Sequence, residues 1–399
     1  MSVSRKLQMG AAGASSGGGG GGGGGLIIPI ASSNASNTFL HFLDTADGQV
    51  KGTFQFGQYD LKSCACYRYG DYLYVFHSYG SKNWTKIDLT DYSSAATGTI
   101  TNNLGFGYFS PISDSQLLRV SSVHNKFYIF DMANGTETAY TYTAGTNTGY
   151  AQTHATLTFY DVGTSGIINE QDKIFWTTAT NPNYNSDINH ATLTGTSMST
   201  FAAISGAGNY SRNYACQIDV DYGLIWLFDS QMKRITRSSS TVTSIYPASL
   251  SYGGNTLYYR PPNSYSAYGY SGNVASDTGV TYGVWDRWPT GTIELRVCAY
   301  NPISNTSPAP THLFEVTGGG YYYYNVPEMA FAQINTSGHM FIAWFDHSSA
   351  NNATIKSRVY DGSTLIGSEM SDTVSSSYTG TYHSHKMGPL CQSYFGPIQ

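Results

Sequence analysis

The sequence predicts an all-β protein: a β-propeller of about seven blades, with six as the alternative, behind an extended glycine-rich N-terminal arm. The main observation is an apolar and aromatic run that ends on a polar residue, as in residues 224–229, 126–131 and 340–346. Each run has the composition of a strand buried on both faces. Further copies occupy residues 72–77, 173–177 and 282–286, so the runs recur about every 50–60 residues, which is typical of radial β-repeats.

Six repeat units are predicted in order along the chain. Their bounds are 58–103, 104–147, 148–207, 208–250, 251–320 and 321–374. Ahead of them a hairpin is predicted from residues 38–43 and 49–56, because Asp47-Gly48 favours a tight turn. The hairpin is too short for a whole unit, so we interpret it as part of a closing blade. Residues 378–395 have about the length needed to supply its remaining one or two strands.

The N-terminal arm is predicted to span residues 1–30, and the propeller body residues 31–399. Nine consecutive glycines, Gly17 to Gly25, form the centre of the arm. Glycine loses more conformational freedom on ordering than other residues, so the run is by default a flexible tether. The alternative is an extended arm held by a multi-subunit assembly. The apolar segment that follows, residues 26–30, is expected to dock on the body or on a partner.

Composition limits the classes of partner. Only 11% of the residues are charged, whereas Tyr contributes 34 and Gly 44, which suits an extracellular β-protein. The net charge of −5 gives no basic surface for nucleic acid. No stretch approaches the roughly 18 apolar residues that span a membrane, so no membrane insertion is expected. Residues 7–14 are too short and polar for a signal peptide, so export by the general secretory route is not expected.

The sequence predicts no catalytic residues, no cofactor and no metal. The candidate carboxylates lie in different units and could meet only at a propeller axis: Asp219, Asp221, Asp286, Glu294, Glu315 and Glu328. A carboxylate that ends a buried strand usually caps the next turn. His383 and His385 share a strand face and could bind an octahedral metal around a symmetry axis, but such pairs are common by chance. The odd number of cysteines, five, favours buried thiols over a disulfide framework.

Tyrosine-rich insertions are the best candidates for receptor binding. Exposed Tyr and Trp side chains offer flat apolar faces with a polar edge, which suits stacking on sugar rings or protein contacts. The alternative is that they pack between blades or between subunits. The candidates are Tyr265, Tyr268, Tyr270, Trp288, Tyr321, Tyr322, Tyr323 and Tyr324.

The N-terminus carries a recognisable pattern. Ser4-Arg5-Lys6-Leu7 and Gly10-Ala11-Ala12-Gly13-Ala14 precede the glycine run and a β-repeat body. This arrangement resembles virion structural proteins of marine tailed bacteriophages, with the match concentrated in residues 2–25. The resemblance implies that these residues fasten the protein to the particle and that the body projects outward. The anchoring residues would be Arg5, Lys6, Leu7, Met9, Gly17 and Gly25.

The leading hypothesis is therefore a virion appendage, either a tail fibre or a tail-associated protein. Its body would recognise a host-surface glycan or serve structural attachment, and its partners would be other tail or capsid proteins and further copies of itself. A capsid-decorating protein is a close variant. A propeller glycosidase or polysaccharide lyase is the alternative from another class, and a cluster of carboxylates at one mouth of the ring would favour it. A secreted bacterial lectin is a third hypothesis.

Overall fold

The computed structural model contains strands and no helix in the residues that it describes. Consistently, no helix in this part of the chain is long and apolar enough to cross a membrane. The described residues are 25–33, 37–56, 65–76, 83–100, 109–121, 126–141, 156–161, 166–167, 173–180, 185–192, 199–204, 214–217, 221–226, 232–239, 241–246, 248–252, 255–260, 274–275, 278–286, 295–316, 329–335, 337–346 and 354–375.

Within these residues the strands form seven sheets of three or more strands in chain order and one separate two-stranded sheet, and all neighbouring strands are antiparallel. The first sheet comprises β1 (Ile27–Ser33), β2 (Thr38–Asp44) and β3 (Val50–Phe56). The second comprises β4 (Ala65–Tyr69), β5 (Tyr72–Phe76), β6 (Asn83–Asp88) and β7 (Ser94–Thr99). The third comprises β8 (Ser110–Pro111), β9 (Gln116–Ser121), β10 (Lys126–Asp131) and β11 (Thr136–Thr141).

The fourth sheet is interrupted by a small separate hairpin. It comprises β12 (Thr156–Thr158), β15 (Lys173–Thr180), β16 (Asn185–Thr192) and β17 (Ser199–Ile204). Between β12 and β15, the strands β13 (Tyr160–Asp161) and β14 (Gly166–Ile167) form a two-stranded sheet of their own. The fifth comprises β18 (Tyr214–Gln217), β19 (Tyr222–Trp226), β20 (Met232–Thr236) and β21 (Thr241–Ile245).

The sixth sheet has six strands and the seventh has four. The sixth comprises β22 (Leu250–Tyr252), β23 (Asn255–Arg260), β24 (Val274–Ala275), β25 (Thr281–Asp286), β26 (Leu295–Tyr300) and β27 (Thr311–Val316). The seventh comprises β28 (Met329–Gln333), β29 (Met340–Asp346), β30 (Thr354–Asp361) and β31 (Thr364–Thr373). Each predicted unit contains one sheet of four or six strands, with the small β13–β14 sheet as an addition in the third unit, and the predicted hairpin is β2–β3. The boundary predicted after residue 250 falls inside β22. The prediction of a propeller with about seven blades is therefore confirmed.

The first sheet contains one strand that the sequence did not predict. Residues 27–30, which the sequence assigned to the arm, begin β1 and pair with β2. The predicted boundary after residue 30 therefore falls inside a strand. The C-terminal segment predicted to complete this sheet, residues 378–395, lies outside the described residues.

The recurring runs are interior strands of their sheets, and β29 shows why they need apolar residues on both faces. All seven of its residues are buried. Met340, Ile342 and Trp344 pack in a core shared with the sixth sheet. The residues between them pack in a core shared with the first sheet. Since successive strand residues point to opposite faces, the seventh sheet lies between these two neighbours.

The same alternation occurs in β5 of the second sheet. Leu73 and Val75 pack in the core shared with the first sheet, whereas Tyr74 and Phe76 pack in the core shared with the third. Tyrosine hydroxyls also cross between sheets: Tyr67 donates to the backbone oxygen of Phe109 at 2.5 Å. Buried aromatic rings with one satisfied polar atom thus join consecutive sheets.

Contacts between strands of different sheets continue around the molecule. Strand β12 contacts β8 and β18, and β18 contacts β24. Strand β28 of the last sheet contacts β1 of the first. The series of sheets therefore brings its two ends together, as a propeller requires.

We expect Phe341→Ala in β29 to destabilise the protein by about 3–5 kcal/mol, because it leaves a cavity between the seventh and first sheets. Phe341 is fully buried. The matched control is Leu365→Ala on β31, where the side chain is 41% exposed and the effect should stay within about 0.5 kcal/mol. Denaturant unfolding of both variants measures the difference. Equal effects would contradict the two-faced burial of β29.

Candidate functional site

Most of the predicted site residues lie outside the described residues. These are the anchoring residues Arg5, Lys6, Leu7, Met9 and Gly17, and all eight receptor-binding candidates: Tyr265, Tyr268, Tyr270, Trp288, Tyr321, Tyr322, Tyr323 and Tyr324. The predictions for them stay predictions, as does that for His383 and His385. Gly25, the last residue of the glycine run, is described, and its surroundings define the candidate site.

Gly25 contacts the start of the turn between β2 and β3. We call this contact the root of the arm; it consists of Gly25, Leu26, Asp44 and Thr45. The backbone N–H of Gly25 donates to Asp44 Oδ1 at 3.0 Å, and the N–H of Leu26 donates to Thr45 Oγ1 at 2.9 Å. The N–H of Thr45 donates in return to the backbone oxygen of Leu26 at 3.0 Å. A Cβ atom on residue 25 would lie 2.4 Å from the backbone nitrogen of Ala46, so only glycine fits this approach.

The Asp44 carboxylate, which is 9% exposed, organises this root. The oxygen that accepts from Gly25 also accepts from the N–H of Ala46 at 2.9 Å. Lys51 Nζ lies 3.9 Å from the other oxygen and 2.6 Å from Asp47 Oδ2. The hydrogen bond from Lys51 holds the pKa of the Asp47 carboxyl below its usual value. One lysine of the first sheet therefore faces two aspartates near the root.

The Asp44 turn is one of three equivalent turns. Asp88 accepts from the N–H of Thr90 at 2.8 Å, and Asp131 accepts from the N–H of Ala133 at 2.8 Å. In each turn the N–H four residues after the aspartate donates to the aspartate's own backbone oxygen. These three aspartates cap the turns that follow their strands. The added contact to Gly25 sets Asp44 apart.

The root also borders the junction between the first and last sheets. Gln49 Nε2 donates to the backbone oxygen of Ser371 at 3.0 Å, and the N–H of Val50 donates to Asp372 Oδ2 at 2.8 Å. A Cβ on Gly48 would lie 2.7 Å from both Ser357 Oγ and Met370 Cβ. The turn that receives the arm thus also fastens the two ends of the propeller to each other.

Other described carboxylates pair with cations. Asp346 lies 2.7 Å from Lys356, and this contact raises the pKa of the lysine. Glu369 lies 2.7 Å from Arg358. Of the six sequence candidates, Asp221 lies 3.4 Å from Arg237 and Glu315 pairs with the buried Arg296. Asp286 is the last residue of β25, where only the backbone is described, and Asp219, Glu294 and Glu328 lie outside the described residues. Among described residues no group of three His, Cys, Asp or Glu could hold a metal ion.

A buried histidine stands in the first sheet, and the sequence analysis did not single it out. His41 on β2 is fully buried. A hydrogen bond of 2.7 Å joins its Nε2 to Ser32 Oγ, and one of 2.9 Å joins its Nδ1 to Thr53 Oγ1. Burial lowers its pKa to about 4. The Ser–His pair has the spacing of a nucleophile and its base, but both side chains are inside the core, where they bind β1, β2 and β3 together.

The two cysteines whose side chains are described, Cys66 and Cys298, are buried thiols that form no disulfide, as the sequence predicts. Burial raises the pKa of the Cys298 thiol far above its usual value. A thiol that stays protonated is a poor nucleophile, so Cys298 acts as a small apolar side chain.

We expect Asp44→Ala to release the root of the arm, since it removes the acceptor for the Gly25 N–H. The matched control is Asp131→Ala, which removes the same turn cap without touching the arm. Both variants should lose about 1–2 kcal/mol of stability. Hydrogen exchange at Gly25 and Leu26 should rise at least tenfold in Asp44→Ala alone. Unchanged exchange there would contradict the described root.

We expect stability to fall as the pH drops from about 6.5 towards 4, by up to ~3 kcal/mol, because unfolded His41 binds a proton that folded His41 excludes. The folded-state pKa is about 4 and the ordinary value is 6.5, so the contribution is complete above pH 6.5. His41→Gln keeps hydrogen-bonding atoms and should flatten the dependence in this range. Thermal unfolding from pH 4 to 8 tests this, and an unchanged slope in the variant would contradict it.

No protein-family model and no curated protein matches this chain. Among solved structures it is similar to the β-propeller domain of Cps50 (Swd1) from Myceliophteria thermophila, with 9% identity, a TM-score of 0.44 and coverage of 87% of this chain and 96% of that one. It is also similar to the dihydro-heme d1 dehydrogenase NirN, with 10% identity, a TM-score of 0.43 and coverage of 86% of this chain and 73% of that one. A functionally unknown protein from Desulfotomaculum acetoxidans shares 11% identity with this chain, with a TM-score of 0.46 and coverage of 82% of this chain and 91% of that one. At these scores the likenesses add no argument about activity.

Proposed function

We propose that this protein is a structural component of a bacteriophage particle, a tail fibre or tail-associated appendage. Residues 1–24 join it to another virion protein, and the propeller body faces outward for attachment or for recognition of a host-surface glycan. Further copies of the chain and other tail or capsid proteins are its partners. The proposal follows from the resemblance of the N-terminal residues to virion proteins of tailed phages.

The observation that carries this division of labour is the root of the arm. Gly25 and Leu26 are fixed to Asp44 and Thr45 by three hydrogen bonds, and a side chain at residue 25 would collide with the turn. Residues before Gly25 therefore start from a defined point on the body. An anchor segment that holds a body on a particle needs such a fixed point, because a force on the segment must pass into a folded sheet.

The partners of the described carboxylates support a binding role over the alternative of a glycosidase or lyase. Glycoside hydrolysis needs two carboxyl groups that face a common substrate. The carboxylates of Asp346, Glu369 and Glu315 face lysine or arginine instead. Those of Asp44, Asp88 and Asp131 accept backbone hydrogen bonds in turns. The proposed receptor surface is formed by the tyrosine-rich segments around Tyr265 to Tyr270 and Tyr321 to Tyr324.

Deletion of residues 1–24 tests the proposal directly. The truncated chain keeps Gly25 and its hydrogen bonds, so it should fold with a melting temperature close to that of the full chain. It should fail to enter particles when it complements a phage that lacks the full-length protein, with an at least tenfold loss by quantitative mass spectrometry of purified virions.

A full-length variant with alanine at Arg5, Lys6, Leu7 and Met9 is the control that preserves arm length, and it should show the same loss. Cross-linking of wild-type particles then identifies the attached protein as a tail or a capsid component. Incorporation of the truncated chain at the wild-type level would overturn the proposal, since attachment would then lie on the propeller.

A further inference from the structure

The three equivalent aspartate turns share one backbone conformation. In each turn the residue four positions after the aspartate donates its N–H to the aspartate's backbone oxygen at 2.8 Å. That residue has a positive φ in all three turns: 68° at Gly48, 59° at Tyr92 and 66° at Gly135. Glycine adopts this conformation without steric cost, whereas a residue with a bulky side chain adopts it only under strain. Among the non-glycine residues that the structure describes, Tyr92 alone has a positive φ.

This turn position faces a neighbouring sheet in each case. A Cβ atom on Gly48 would lie 2.7 Å from two side-chain atoms of the seventh sheet, and one on Gly135 would lie 3.0 Å from the ring of Trp84 in the second sheet. Side chains of the neighbouring sheet therefore fill the space beside these glycines. Between the first and second sheets the arrangement is reversed, because a Cβ atom on Gly52 of β3 would lie 2.0 Å from the Tyr92 ring. Here the turn residue fills the space, and a glycine in the neighbouring sheet leaves room for it.

The Tyr92 ring lies beside the root of the arm. It stacks on Phe42 of β2, with 4.9 Å between the ring centroids and an angle of 29° between the planes. Asp44 is two residues further along β2, so its side chain is on the same face of the strand as Phe42. Burial raises the pKa of the Tyr92 hydroxyl, the charge of Asp44 raises it further, and the charge of Lys51 lowers it. The hydroxyl is therefore within electrostatic range of both charged side chains.

We propose that Tyr92 is a positioning residue for the arm: its ring covers the Asp44 carboxylate and shields the hydrogen bond from Gly25 to this carboxylate from water. The exposure of the turn aspartates supports this role, because Asp44 is buried whereas the equivalent Asp88 and Asp131 are half-exposed. The strained backbone also supports it, since strain persists only where the surrounding contacts require it. A glycine would form the same turn without strain, so what the tyrosine adds is its ring.

The cover connects the arm to two sheets. Hydrogen bonds attach residues 25 and 26 to the first sheet, and the Tyr92 ring attaches the same point to the second. A hydrogen bond that is shielded from water is electrostatically stronger than an exposed one. In the proposed function, on which this purpose of the cover rests, a load on the arm would then pass into two sheets instead of one.

Hydrogen exchange of the isolated full-length protein tests the role of the ring. Tyr92→Gly keeps the turn and removes the cover, so exchange at Gly25 and Leu26 should rise about tenfold more than exchange in a peptide covering β26. Tyr92→Phe keeps the ring and is the matched control, and its exchange at both residues should stay within about twofold of the wild type. A purely structural contribution of Tyr92 would raise exchange equally in both regions. That result, or a rise of the same size in Tyr92→Phe, would overturn the proposal.

Gly52→Ala reaches the same ring from the opposite side and decides the question if Tyr92→Gly does not fold. Its Cβ atom would displace the ring, so exchange at Gly25 should rise relative to β26 as in Tyr92→Gly. The matched control is Gly223→Ala, whose Cβ atom would lie 2.4 Å from Leu157, between the fourth and fifth sheets. This variant should leave exchange at Gly25 at the wild-type level relative to β26. Wild-type exchange at Gly25 in Gly52→Ala would overturn the proposal.

The double variant Tyr92→Gly/Gly52→Ala separates the ring from other effects of the alanine. Because the ring and the new Cβ atom compete for one space, Gly52→Ala should add less than about twofold to exchange at Gly25 once the ring is gone. Fully additive effects of the two substitutions would overturn the proposal. Neither measurement involves the particle, so a failure of the proposed function would appear in the deletion of residues 1–24 and would leave these exchange results unchanged.

Discussion

Burial of the central strands on both faces is the constraint on which the rest of this structure depends. Strand β29 has alternating residues in two different cores, and β5 divides its residues in the same way. A single sheet cannot satisfy such strands, since each face needs a separate apolar partner. A circular succession of sheets provides both partners for every sheet, provided that the last sheet meets the first. The contact between β28 and β1 meets that condition.

The positions of the polar side chains follow from this succession of sheets with apolar faces. Most of the surface between sheets is apolar, which is consistent with a charged content of only 11%. Aspartates at strand ends satisfy the turn amides, and a tyrosine hydroxyl reaches a carbonyl of the next sheet. The first sheet uses the same turn for a second purpose, because Asp44 also holds Gly25. One local motif therefore serves both the fold and the attachment of the arm.

The sheets could be predicted from the sequence because their signal is local. Six-residue apolar runs with aromatic residues identify interior strands without knowledge of their partners. The arm predicted from the sequence includes residues 27–30 of β1, since Pro29 and the preceding glycines give these residues no local strand signal. The contact of Gly25 with Asp44 joins residues 19 positions apart. It follows from the strand register, which no local pattern specifies. A recurring signal was nonetheless present, since Asp44, Asp88 and Asp131 begin similar turns at nearly equal spacing.

A density map of the whole chain, at a resolution that separates strands, tests the central claim most directly. The account predicts that β1–β3 lie between β4–β7 on one side and β28–β31 on the other, with Val50 in contact with Asp372. The glycine run should then leave the body at Asp44. A map in which the first and last sheets lie apart, with one face of β29 exposed to solvent, would contradict the account.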